Sequence, residues 1–199
     1  MEKQFDHKES LQLISQMINT AMHNLRKGSG NIILVWGYLV MFTSLTVFIL
    51  LKTLDVSYHA HYAWFILSIG VIYTFVKGMK DKSETTRTYI DSIIGYVWLS
   101  FGITISLLVG NFLVIDFSIF HQWLLLIPLI LLLYGFALFI TGITTRFSPL
   151  IIGAIFCWVG ATFCFYIPAN YHMLVIAGAA LIGFIIPGHL LNQKAENNV

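Results

Sequence analysis

Charge is what this sequence has least of. Asp, Glu, Lys and Arg make up 10% of its 199 residues, where a soluble domain carries about 25%. Hydrophobic residues make up 58%, and the mean hydropathy is +0.82. A water-soluble fold of this size has no interior large enough for so much apolar surface. Signatures of chemistry are missing too. There is no Walker loop, dinucleotide fingerprint, Gly-x-Ser-x-Gly elbow, His-Glu-x-x-His or Cys-x-x-Cys. No basic run is interleaved with aromatics, so nucleic acid is not an expected partner, and no cofactor is implied. The two cysteines, Cys157 and Cys164, would lie about 10 Å apart along a helix, too far for a disulfide. They read as small buried apolar residues.

What is present is a succession of apolar runs. A membrane span needs about 20 apolar residues to cross about 30 Å of hydrocarbon. Six segments read as spans: 32–51, 62–76, 90–115, 123–143, 149–167 and 173–190. The expected fold class is all-α, an integral membrane bundle of six transmembrane helices in three helical hairpins, preceded by an N-terminal cytosolic amphipathic helix. The chain then divides into that helix (1–30), the transmembrane domain (31–191) and a cytosolic tail (192–199). Residues 1–29 lack the apolar stretch of a signal peptide, so the first span is expected to act as an uncleaved insertion signal. Ser148 is placed as the N-cap of the fifth span, with Pro149 at its first helical position. Pro128 and Pro187 are placed to kink the fourth and sixth.

Lysine and arginine set the direction. With six spans, Lys3, Lys8, Arg26, Lys27, Lys77, Lys80, Lys82, Arg87, Arg146 and Lys194 share one side, and Lys52 alone takes the other. Positive residues concentrate on the cytoplasmic side, so both termini are expected there.

Residues 6–27 have helical periodicity. Asp6 and Glu9 have capping-box spacing, and Leu11, Ile14, Ile18, Ala21 and Leu25 form one stripe opposite Gln12, Gln16, Asn19 and Asn24. Such a stripe needs cover. The candidates are the lipid headgroups, the cytosolic side of the bundle, or a partner, either another protein or a second copy, bound through residues 6–27.

An internal register links the odd-numbered spans. Gly37, Gly95 and Gly153 are spaced by 58 residues, and Ser44, Gly102 and Gly160 align in the same register, as do Thr46, Thr104 and Thr162. In lipid, small residues let helix backbones approach closely. The expectation is three related hairpins whose odd helices pack together through Gly37, Ser44, Gly95, Gly102, Gly153 and Gly160.

Ionisable groups within spans mark function in membrane proteins, and here Asp91 is the main example. At the start of the third span it reads as an acid favoured by the helix dipole. The even spans each begin with histidine: His59 and His61, His121, and His172. Imidazoles ligate metals, which makes His61, His121 and His172 the candidate metal set. The plainer reading is an interfacial belt with Tyr62, Trp64, Trp123 and Tyr171. Ser100, Thr104 and Ser106 are expected to bond to their own helix.

The run Glu-Ser-Leu-Gln-Leu-Ile-Ser-Gln-Met-Ile, then Gly28-Ser29-Gly30, then Ile-Ile-Leu-Val-Trp-Gly-Tyr resembles a family of uncharacterised bacterial six-span inner-membrane proteins. That resemblance implies a bacterial inner membrane and assigns no activity. Gly153, Gly160, Pro168 and Gly183 are similar to the hairpin repeat of the HdeD-like acid-resistance membrane proteins, which also have six spans. The leading expectation is a non-enzymatic multi-pass inner-membrane protein with a stress, envelope or regulatory role. The rival is a small-solute or lipid transporter, which needs a central polar cavity. A third reading is a metal-dependent membrane hydrolase, which needs the outer histidines to converge.

Overall fold

The computed structural model describes residues 29–53, 57–84, 89–114 and 123–197. The helix expected over 6–27 lies outside them. The described residues are helical almost throughout, with no strand among them. α1 (Ser29–Thr53) is followed by a 3-10 stretch (Ser57–Ile66) that leads into α2 (Leu67–Glu84). Then come α3 (Tyr89–Val114), α4 (Trp123–Thr144) and α5 (Ser148–Cys164). After a short 3-10 turn (Ala169–Tyr171), α6 (His172–Ala180), a wide π-helical turn (Leu181–Ile185) and α7 (Ile186–Asn197) run on end to end.

Among the described residues, five stretches are long and apolar enough to cross a membrane: Gly30–Thr53, Tyr62–Lys80, Tyr89–Phe112, Leu124–Thr144 and Ala169–Lys194. Ser148–Cys164 is a shorter apolar helix; its 17 residues rise about 25 Å. Phe42, Phe75, Tyr96, Phe136 and Val159 all stand outward. Water penalises so much exposed apolar surface and lipid accepts it, so these are the faces of a membrane-embedded bundle.

The last segment is the centre of the molecule. More than half of the most apolar 18-residue part of Ala169–Lys194 is buried, against none of the corresponding part of α3 and almost none of that of α2. α1 packs on one side of α6 and the π turn, and α5 packs on the other. α4 backs α5, α2 leans on α1, and α3 leans on α4. The core joins Val40 and Val47 of α1, Leu131 and Leu138 of α4, and Leu150 and Cys157 of α5 to Ile176 and Phe184.

α1 and α5 therefore pack on the final segment instead of on each other. A Cβ on Gly37 would lie 2.8 Å from Phe184 and 2.9 Å from Ile185, and one on Gly153 would lie 2.5 Å from the Cα of Gly183. Gly160 abuts Val175, and Ser44 is fully buried. Gly95 and Gly102 break the expectation: no described atom lies within 4 Å of the position a Cβ would take. A different face of α3 meets the core. Trp98 stands against Phe184 at 5.9 Å, and Phe101 against Tyr134 at 4.8 Å. Two large aromatics bury far more apolar surface than two glycines, so they decide which way α3 turns.

The tightest helix pair also crosses the expected hairpin boundary. It is α4 with α5, where Gly135 lies under Trp158 and Gly142 against Ile151. The turn between them is closed by Arg146, whose φ is +52°. Its N–H bonds the Ile143 carbonyl at 3.1 Å, and that of Phe147 bonds the Gly142 carbonyl at 2.9 Å. This is a Schellman arrangement with arginine where glycine is usual. Ser148 is not the N-cap of α5. Phe147 holds that position without a side-chain cap, because the α4 terminus already engages the turn. Pro187 brings a wide turn ahead of it: the N–H of Ile186 reaches back five residues to Leu181, next to where proline removes a donor. α2 continues past Val76 to Glu84, since lysine is a good helix former and its stem can reach toward water.

Candidate functional site

Polar groups on the spans are mostly engaged by their own helices. Ser44, Thr46 and Thr53 of α1 donate to the carbonyls of Val40, Phe42 and Ile49. Ser100, Thr104 and Ser106 of α3 bond the carbonyls of Val97, Ser100 and Gly102, as expected. Thr141 and Thr162 do likewise on α4 and α5. Thr43 departs from this pattern: its hydroxyl is buried without a partner. Cys157 and Cys164 are buried free thiols, in line with their sequence reading. A void among Val40, Leu131, Tyr134, Cys157, Ile176 and Phe184 measures about 10 Å³, about the least room one water needs.

At one end of the bundle the first and last helices meet through polar groups. The Asn192 amide donates to Asn31 Oδ1 at 2.7 Å, and the Tyr38 hydroxyl shares a 2.9 Å hydrogen bond with His189 Nε2. Between these pairs Gly188 lies against Leu34, and a Cβ on Gly30 would come within 2.5 Å of the Gly188 carbonyl. Trp36 fixes α1 to α2 by donating to Thr74 at 2.9 Å.

The opposite end carries the histidine question. His121 and the side chain of His61 lie outside the described residues. His172 is described and buried. Its Nε2 donates to the Cys164 carbonyl at 2.8 Å, with that of Ile167 at 3.3 Å. Both carbonyls belong to the end of α5 and the turn after it, so His172 ties the α5–α6 connection. Among the described residues no three His, Cys, Asp or Glu side chains gather where a metal would fit. Nearby, the Lys52 ammonium lies over the rings of Phe48 and Tyr171, 5.1 and 5.4 Å from their centres.

The larger opening is a groove between α3 and α4. Ile93, Tyr96, Val97, Ser100, Phe101 and Thr104 form one wall, and Leu133, Phe136, Ala137 and Ile140 the other; its volume is about 500 Å³. Sequence reasoning missed this groove, the Asn31–Asn192 and Tyr38–His189 pairs, and the close contacts at Gly135, Gly142 and Gly183. Gly135 and Gly142 were findable, because they repeat the seven-residue spacing of Gly95 and Gly102. The pairs join residues far apart in sequence, and no local pattern announces them.

Known proteins add nothing to this geometry. No protein family, curated protein or solved structure matches the chain.

Proposed function

We propose that the chain is a non-enzymatic, six-span protein of a bacterial inner membrane, with both termini cytoplasmic, and that it acts by association in a stress, envelope or regulatory role. The observation that carries this reading is the tight interior, whose void is about 10 Å³. Solute transport needs a polar site near the membrane midplane. The hydroxyls of Ser44 and Thr141, which would line one, are bonded to their own helices, and Thr43 is the exception. Association is further supported by the outer position of α2 and α3, which leave most of their surface to lipid or to another helix. The stripe expected over residues 6–27 is the second surface for a protein partner or a second copy.

A Cys164→Ser variant tests the reading with the native Cys157 as reporter. In membranes, Cys157 should resist a water-soluble methanethiosulfonate applied from either side. Rapid modification would reveal a water-filled interior and favour the transporter. Deleting residues 1–27 should release a co-purifying partner or change the oligomeric state, and an unchanged complex would count against association through that segment.

A further inference from the structure

The groove between α3 and α4 has the chemistry of a hydrocarbon site. The donors of its Ser and Thr hydroxyls are already spent: Ser100 donates to the Val97 carbonyl at 2.9 Å and Thr104 to that of Ser100 at 2.8 Å. Apart from the Tyr96 hydroxyl, what remains on the walls is methyl, methylene and ring surface, with Phe101, Leu133 and Ile140 among it. Both walls lie on helices apolar and long enough to cross a membrane, so the groove is reached from hydrocarbon.

Its dimensions select the occupant. From Ile93 to Thr104 α3 rises about 16 Å. Even all the empty space of the groove, about 940 Å³, is less than the roughly 1,500 Å³ that a helix of that length, 10–12 Å across with its side chains, would fill. Ten residues line the groove, and a protein interface engages about 20–30 on each side. The space is thus too small for a helix and for a protein contact. Phe101 of one wall packs on Tyr134, and Tyr134 on Phe184 at 5.1 Å, so large rings join α3 to the core beside the groove.

We propose that this groove binds one acyl chain of a bilayer phospholipid, laid along α3. The proposal rests on the chain being membrane-embedded and is independent of association as its role. The test reconstitutes the full chain into phosphatidylethanolamine and phosphatidylglycerol vesicles doped with a phospholipid that carries a diazirine at mid-chain. After illumination, labelled residues are mapped by mass spectrometry. Ile69 and Ile72 of α2, 60% and 64% exposed, report ordinary contact with surrounding lipid. The groove walls should be labelled severalfold more than these. A Ser100→Phe, Thr104→Phe double variant should remove the excess and leave the α2 labelling unchanged, which also shows that the bundle is intact. Equal labelling of α2 and the groove would overturn the proposal, as would an excess that survives the variant. Cross-linking of the walls to a second copy would overturn it in favour of a protein occupant.

Discussion

Thr43 and His172 show how single polar groups are handled in a lipid-facing fold. A buried hydroxyl without a partner is unfavourable by about 1–3 kcal/mol, and Thr43 is 1% exposed with no bond. Thr43→Val keeps the shape and removes the hydroxyl. It should leave stability unchanged or raise it by about 1 kcal/mol, read as the midpoint of thermal unfolding in detergent; a clear loss would mean that Thr43 has a partner. His172 is the opposite case, since its ring holds two carbonyls at the end of α5. His172→Phe retains bulk but leaves both without a donor, and should lower stability by about 1–3 kcal/mol. At this scale the sequence was partly legible. The self-bonding of Ser100, Thr104 and Ser106 follows from helix chemistry alone. The bond made by His172 does not, because it depends on how the turn after α5 folds back.

Helices show why a small-residue pattern identifies a capacity and not a contact. Gly37, Gly95 and Gly153 occupy equivalent places in sequence, yet two are closed against the final segment and one is open. The register shows where a close approach is possible; larger side chains nearby determine whether it happens, and on α3 these are Trp98 and Phe101. This yields a paired prediction. Gly153→Leu forces a side chain into the backbone at Gly183 and should destabilise the bundle by about 3 kcal/mol or more. Gly95→Leu and Gly102→Leu meet nothing within 4 Å among the described residues, so stability of the isolated chain should hold. Size-exclusion chromatography of these two variants then reads association separately from folding. Equal destabilisation by all three would show that α3 is packed on that face after all.

For the molecule as a whole, hydropathy made the helical, membrane-embedded character plain, while the order of packing was hidden. Residues 31 and 192 meet at one end through their amides, which puts the start of the first apolar helix beside the end of the last. Reporters fused at both termini should accordingly fall on the same side of the membrane, and the excess of Lys and Arg predicts the cytoplasmic side. Activity of the two fusions on opposite sides would break that arrangement.

The central position of the last segment has a consequence for biogenesis. A chain is made from its N-terminus, but Gly37 and Gly153 find their close packing surface on residues 182–185. The first helix must wait in the bilayer through the synthesis of nearly the whole polypeptide, and the core closes when the final turns arrive. A ribosome that stops before Met173 releases a product with every earlier helix present and no centre for them to gather around, a natural substrate for membrane quality control.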